Sequence, residues 1–574
     1  MNTAGFGAAA RADNLRCMAG ERVDVLVIGG GVTGVGVALE AASRGASVAL
    51  IERGDFGSGT SSWSTKLVHG GIRYLPQRQV ALVREALHER ATLLRIAPHL
   101  VWPLSFVLPL YRETRRPIGV NIPFPGGVGV GLAMRVGLAA YDALAGRENV
   151  ACSRHLTPAE TLAAVPGLRS EGLRGAFVYS DAGTNDTRLV LAIARTAAVQ
   201  GAMLANYVEA TRLVEEGGRV VGAEARDVLT GETYRIAARY VVNAAGVWAE
   251  RVAGLGEAEP QVSVLPAKGI HLIVDAARVG LGKDAVVLPE TPDGRLIFMV
   301  PWGGRAVIGT TDDPGGDIER PRAEDDEIAY VLSVVNRSVR EPLTRADIIS
   351  TYAGYRPLIR AKNGASSAAL SRSHSVLVAP SGLVTITGGK LTTYRRMAQD
   401  TLDRLHKDGL GAKGDAPLRP SVTDHLPLAG ADGYGHWRTI IAGEAARRGL
   451  DAGTADHLLH AYGAEAGEVL SLIDGDSLLA HRMVPELPAI FAEVAHAART
   501  EMAMTVEDVL ARRTRLSLLD RAHGTGVAPD VAAMLGDVLE WDAAERDRQV
   551  NAYRERVDDL HGVVGSRQSA VGGR

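Results

Sequence analysis

The chain has 574 residues, 46% of them hydrophobic and 22% charged. This is the balance of an ordinary globular protein, and it excludes an intrinsically disordered or collagen-like chain. The 63 basic and 66 acidic residues leave a formal net charge of −3, so there is no global basic field for nucleic acid and no such partner is expected. Cys17 and Cys152 are the only cysteines. They exclude a CxxC redox pair or a cysteine zinc site and fit a reducing compartment. No metal is expected. The length suggests about three or four domains.

In chain order, residues 1–20 are rich in Ala and Gly and read as a disordered leader, not a secretory signal. Asp24–Ile28 (DVLVI) is a short apolar run closed by three glycines, Val32–Ser43 a helix rich in small residues, and Ser47–Ile51 (SVALI) a second apolar run. Together they make a βαβ unit with parallel strands buried on both faces. Gly29-x-Gly31-x-x-Gly34 follows the first strand and opens the helix. One glycine makes the tight turn, one admits a pyrophosphate to the backbone, and one lets the helix pack on the sheet. Glu52 ends the second strand about 20 residues on, where a carboxylate can take ribose hydroxyls. This half-site does not separate NAD from FAD, but an acidic Glu52 argues against a 2′-phosphate.

Further along, Pro117–Met134 is uncharged but holds three prolines and five glycines, which makes a poor membrane-spanning helix. It reads either as a loop leading to a core helix or as a patch that dips into a bilayer surface. Tyr240–Val242 ends in Asn243-Ala244-Ala245-Gly246, and Gly382–Thr387 ends in Gly388-Gly389. Strands returning so late imply a nucleotide-binding domain assembled from residues 21–110, 180–262 and 350–405. Residues 111–179 and 263–349 then form a second domain folded over it. A Gly-, Pro- and Lys-rich linker spans 406–420. Residues 421–560 are expected to form a helical domain, with a capping-box pattern at Thr505–Asp508, and 561–574 a frayed tail.

The remaining motifs are GTSSWSTKLVHGGIRYL (Gly59–Leu75), KGIHLIV (Lys268–Val274), IGTTD (Ile308–Asp312), YAGYRPL (Tyr352–Leu358) and TGGKLTTYR (Thr387–Arg395). As a set, with the dinucleotide motif, they resemble the FAD-dependent, aerobic, quinone-linked glycerol-3-phosphate dehydrogenases, over about residues 22–540. The resemblance implies an α/β fold: a Rossmann-like FAD-binding domain, a substrate (cap) domain on an antiparallel sheet, and a C-terminal all-helical domain. It implies noncovalent FAD and oxidation of sn-glycerol 3-phosphate to dihydroxyacetone phosphate. It also implies electron transfer to a membrane quinone, from a cytoplasmic position held peripherally on the inner face of the cytoplasmic membrane. A homodimer is carried as one expectation.

Beside the resemblance, each residue has its own chemistry. Ser61, Ser62, Ser64 and Lys66 offer hydrogen bonds to a pyrophosphate and a flavin edge, and Gly70 and Gly71 let the backbone pass close to the flavin. Ala245 and Gly246 resemble the family's second FAD contact, while Trp248 reads as core packing. Gly388, Gly389, Lys390, Leu391 and Thr392 supply a helix N-terminus for the flavin pyrimidine end. Arg73, Tyr74, Arg372 and Lys390 match the family's phosphate pocket, where a planar guanidinium can make two bonds to phosphate. His271 is the candidate base, against the alternative of a plain strand histidine. Arg356 is the candidate stabiliser of the developing alkoxide. Trp63 departs from the small residue common in the family's serine-rich loop. An oxygen-using glycerol-3-phosphate oxidase is the nearest alternative. Another flavoenzyme of the D-amino-acid-oxidase type, or a flavin-binding sensor without catalysis, is more remote.

Overall fold

The computed structural model describes residues 6–114, 128–256, 262–289, 291, 294–359, 374–412 and 416–565. Two sheets carry the architecture. In the first, the strands run in the order Ser375–Val378, Val384–Thr387, Thr233–Asn243, Val23–Ile28, Val48–Ile51 and Met203–Ala205. The pairings from Val384–Thr387 across to Met203–Ala205 are parallel. Ser375–Val378 is an antiparallel edge, and the hairpin Val208–Glu216/Arg219–Asp227 extends Thr233–Asn243. The helix Val32–Ser43 lies against this sheet between Asp186–Val199 and Tyr394–Lys407. Its small residues explain that packing, since a Cβ at Gly36 would stand 2.7 Å from the Tyr394 ring.

The second sheet has ten strands and is almost wholly antiparallel. Its centre is Val264–Asp275, paired on one side with Arg305–Gly309 and on the other with Ile348–Ile359. Val101–Tyr111 and Leu173–Thr184 form its long outer hairpin. Here the structure differs from the sequence expectation. Residues 101–110 and 350–359, placed with the nucleotide domain, pair in the second sheet. Both are long strands with few polar positions, and periodicity alone does not say which sheet such a strand joins.

The N-terminal segment is also corrected. Ala8–Gly20 is a helix docked on the first sheet, not a disordered leader. Arg11, Leu15 and Met18 are its buried residues, a spacing of four and three that marks one face of a helix. Arg11 forms a two-pronged ion pair with buried Asp227, at 3.0 and 2.9 Å, and Phe6 packs on Phe56.

Residues 434–565 are helical. Tyr434–Ala446, Ala452–Tyr462 and Ala466–Gly475 share a core of their own. The later helices do not: Val494, Leu510, Leu518, Val531 and Tyr553 pack into one apolar cluster with Phe106, Ile273, Trp302 and Tyr352 of the second sheet. At Thr505–Asp508 the expected reciprocal bonds are present, Asp508 N to Thr505 Oγ1 at 3.2 Å and Thr505 N to Asp508 Oδ2 at 3.0 Å. They open a π-helical turn over Asp508–Arg513. The last helix, Ala543–Gly565, runs past the boundary expected at 560. Of the Pro117–Met134 run, residues 117–127 lie outside the described residues and the rest opens the helix Val128–Ala145. Among the described residues no helix is long and apolar enough to cross a membrane.

Ionic pairs join the helical region to the first sheet. Asp55 receives Arg512 Nε at 2.7 Å and Arg513 Nη2 at 3.1 Å, all three groups buried. Burial alone would raise the Asp55 carboxyl; the Arg513 and Arg512 guanidiniums reverse this and hold it below the usual carboxylate range. Removing one partner of a buried pair leaves its counter-charge uncompensated. Asp55→Ala should therefore lower the free energy of unfolding by about 3–5 kcal/mol, read from the urea midpoint of the purified protein.

Candidate active site

A cavity of about 670 Å³ runs between the two sheets. Its first wall is the turn after Val23–Ile28. Gly31, Val32 and Thr33 line it, and Gly31 provides no side-chain cap to the helix it opens. The close approach of helix and strand requires Gly34, where a Cβ would stand 1.8 Å from the Gly29 carbonyl oxygen. The Val32 N–H donates to Ser61 Oγ at 2.9 Å. The Glu52 carboxylate accepts from Gly30 N at 2.6 Å and Gly54 N at 2.8 Å. Burial pushes this carboxyl up and those two N–H groups oppose the rise. Anionic and ribose groups of a dinucleotide fit such a wall: backbone amides at a helix start, a serine hydroxyl against them, and a carboxylate fixed beside the turn.

At this end of the cavity Trp248 is half-buried and lines the mouth; it is not a core residue as expected. Its indole N–H donates to Glu319 at 2.8 Å, and the Arg53 guanidinium lies 4.2 Å over its ring. Glu319 also pairs with Arg53 at 2.9 Å and Arg251 at 3.4 Å. Ala245 and Gly246 line the cavity where expected. The turn is held by buried Asn243, which accepts from Ala245 N at 3.2 Å.

Gly388, Gly389, Lys390, Leu391 and Thr392 also line the cavity. The Lys390 ammonium lies 4.3 Å over the ring of Tyr74, itself a lining residue. Arg73 does not line the cavity; its Nη2 donates to Tyr74 Oη at 3.3 Å. Arg372 lies outside the described residues.

His271 and Arg356 sit on neighbouring strands and both line the cavity. The His271 ring is 2% exposed and stacks on Tyr352 at 4.6 Å with 14° between planes. Its Nε2 is 2.9 Å from Thr65 Oγ1, and its Nδ1 has no hydrogen-bond partner among the described residues. Burial, then the positive charges of Lys66 and Arg356, push the imidazole well below its ordinary range. The ring needs Gly309 opposite it, where a Cβ would stand 2.4 Å from Cδ2. Arg356 is fixed by the same loop: Nη1 donates to Asp312 at 3.0 Å and to the Thr311 carbonyl at 3.2 Å, and Nη2 to Thr310 Oγ1 at 3.2 Å. The IGTTD segment, noticed in the sequence without a role, is thus the clamp on Arg356.

Four expected cofactor contacts are elsewhere. Ser62 turns away from the cavity, its hydroxyl donating to the Gly57 carbonyl at 2.5 Å. Lys66 is fully buried, its Nζ 2.6 Å from both Asp186 Oδ2 and the Ser62 carbonyl. Gly70 and Gly71 do not line the cavity. A Cβ at Gly70 would strike Tyr141 and Leu87, and one at Gly71 would strike Tyr74, so packing requires both. Ser64 does line the cavity, but its hydroxyl donates to Asp186 at 2.7 Å. Thr65, Tyr352 and Asp312 are site residues that sequence reasoning did not single out. All three stand inside quoted motifs, but the contacts of Thr65 and Tyr352 with His271, and of Asp312 with Arg356, are made to residues distant in sequence.

Comparison with known proteins gives a consistent picture. Residues 24–395 match the family described as FAD dependent oxidoreductase, and residues 421–546 the C-terminal domain of alpha-glycerophosphate oxidase. The chain is 39% identical to glycerol-3-phosphate dehydrogenase 2 of Mycobacterium tuberculosis, over 97% of this chain and 91% of the relative. It is 36% identical to the human mitochondrial glycerol-3-phosphate dehydrogenase, over 93% of this chain and 72% of the relative. The structure matches that of the Bacillus halodurans glycerol-3-phosphate dehydrogenase complexed with FAD, with a TM-score of 0.77, 30% identity, and coverage of 97% of this chain and 98% of that one. The chain therefore belongs to the family of FAD-dependent glycerol-3-phosphate dehydrogenases.

Proposed function

We propose that the protein oxidises the secondary alcohol of sn-glycerol 3-phosphate to the ketone of dihydroxyacetone phosphate and passes the electrons to a membrane quinone. The observation that carries this reading is the meeting of His271, Arg356 and Lys390 with the dinucleotide loops in one cavity. FAD is the cofactor of the family, and the glycine turn and Glu52 fit it; when bound, it supplies the acceptor for the hydride that leaves C2. Gly29, Gly31, Gly34 and Glu52 would hold its pyrophosphate and ribose. Ala245, Gly246, Gly388, Gly389, Leu391 and Thr392 would hold the rest.

The chain's own residues then do three things. Thr65 engages Nε2 of His271 and leaves Nδ1 to accept the hydroxyl proton. Burial and the nearby cations keep that imidazole neutral, so it is ready as a base at neutral pH. Arg356, held in orientation by Asp312 and Thr310, faces the negative charge that develops on the C2 oxygen. Lys390 and Tyr74 bind the phosphate, and Arg73, bonded to Tyr74, adds positive charge to that wall. The part given to Arg372 rests on the family resemblance.

A membrane acceptor fits one surface feature. The helix Val128–Ala145 buries Val130, Met134, Leu138 and Tyr141 on one side. It leaves Leu132 and Val136 65% and 62% exposed, an apolar face suited to peripheral contact with the inner face of the cytoplasmic membrane.

The deciding experiment is anaerobic mixing of the holoenzyme with sn-glycerol 3-phosphate, following flavin absorbance, and then addition of a soluble quinone or air. Bleaching that quinone reverses faster than air is the expected result. Fast reversal by air with peroxide would make the protein an oxidase, and no bleaching would remove the substrate assignment. His271→Ala should slow bleaching by about 10²–10⁴-fold. The acid limb of its pH dependence in the unmodified protein should lie below about 6.5, the ordinary histidine value. Lys390→Ala should weaken glycerol 3-phosphate far more than glycerol, measured as the ratio of kcat/KM for the two; equal losses would assign Lys390 to the flavin alone.

A further inference from the structure

The helical region lines the cavity with Glu507 and Arg556, and one of its buried side chains reaches the segment behind the wall. Arg515, at the start of the short helix Leu516–Leu519, is 2% exposed. Its Nη1 donates to Thr187 Oγ1 at 2.5 Å and its Nη2 to the Ser62 carbonyl at 3.0 Å. The same Nη2 stands 3.7 Å from Asp186 Oδ1. The other oxygen of Asp186 accepts from Lys66 Nζ at 2.6 Å and from the Ser64 hydroxyl at 2.7 Å. Two cations and one carboxylate are therefore buried together, tied to both ends of the segment from Ser62 to Lys66.

That segment holds His271. Thr65, between Ser64 and Lys66, is the hydrogen-bond partner of Nε2. The Tyr352 hydroxyl donates to the Ser64 carbonyl at 2.7 Å, and the ring it belongs to is the one on which His271 stacks. Lys66 Nζ lies over the same ring, 4.9 Å from its centre. Lys66 and Arg515 both take left-handed backbone, with φ of 62° and 63°, a conformation unfavourable for residues with a Cβ. The two side chains share Asp186 and the Ser62 carbonyl oxygen.

We infer that Arg515 and Lys66 are positioning residues for His271, acting through Asp186 and the Ser62–Lys66 segment, and that the C-terminal helical region is thereby part of the catalytic apparatus. Arg515 touches neither the cavity wall nor His271. It fixes the loop from which Thr65 orients the imidazole, and Lys66 adds a positive charge that opposes protonation of the ring. The charge of Lys66 is itself poised: burial, set against Asp186 and reinforced by Arg515, brings its ammonium down to about 7. The inference rests on the reading of His271 as the base.

The test is a double-mutant cycle on the holoenzyme, with anaerobic flavin bleaching by sn-glycerol 3-phosphate measured across pH. Thr65→Val and Arg515→Met should each slow bleaching at saturating substrate by about 10–100-fold. Because both act through one segment, the double variant should be scarcely slower than the slower single. Arg515→Lys should recover part of the rate, and Lys66→Met should move the acid limb upward, toward the ordinary histidine range. Losses that multiply, or an acid limb unmoved in Lys66→Met, would overturn the inference. Should Arg515→Met fail to retain FAD, the same cycle run with Arg515→Lys and Thr65→Val decides. His271→Asn separates the two readings. Wild-type bleaching there defeats the base assignment, whereas a slow His271→Asn beside unimpaired Thr65→Val and Arg515→Met defeats the positioning role alone.

Discussion

An ammonium group withdrawn from water is tolerated only beside a counter-charge and a full set of acceptors. Lys66 is fully buried, so Asp186 must stand where it does. Asp186 is the first residue of the helix Asp186–Val199, which packs under the first sheet, while Lys66 adjoins the short strand Leu67–Val68 of the second. The pair, at 2.6 Å, therefore ties the start of that helix to the loop before Leu67–Val68, which lies beside the end of Leu173–Thr184 that leads into the helix. The loop it fixes carries Thr65, the hydrogen-bond partner of His271 in the wall of the cavity.

The division of labour around the cavity follows the same physical rule. The walls that meet solvent or ligand combine backbone amides and glycines with apolar side chains such as Ile28 and Leu67 and a few charged groups. Some of the groups that hold them in place are buried and hydrogen-bonded, such as Asn243 behind Ala245. Arg356 shows an intermediate case. Its side chain is 28% exposed, with Asp312 and the threonine loop fixing its fork.

The sequence made the nucleotide half-site legible because its constraints are local. Gly29, Gly31, Gly34 and Glu52 lie within one βαβ unit, and their roles depend on residues a few positions away. The same holds for the loops at Ala245–Gly246 and Gly388–Thr392. Legibility ended where a side chain's direction is set by a distant partner. Ser62 and Lys66 look like a polar loop facing a phosphate. Asp186, more than a hundred residues away in sequence, turns Lys66 inward, and the Gly57 carbonyl and Thr187 hold the Ser62 hydroxyl. Trp248 read as core because nothing nearby announces Glu319. The first helix was a different failure, for Arg11, Leu15 and Met18 do carry helical spacing, hidden by the alanines and glycines around them. The long strands Val101–Tyr111 and Ile348–Ile359 were recognisable as apolar, but membership of a sheet is a tertiary property.

The shared apolar core of the last helices and the second sheet bears on how the molecule is made. The Gly- and Pro-rich stretch before residue 421 looks like a seam between separable modules. Leu518, Val531, Tyr553 and Val557 nevertheless belong to the cluster that contains Phe106 and Ile273. On the ribosome, the sheet strands emerge long before those partners and wait with one apolar face uncovered. The apolar face of the second sheet is thus covered by residues synthesised well after its strands, and a chain interrupted before Leu518 would lack that cover.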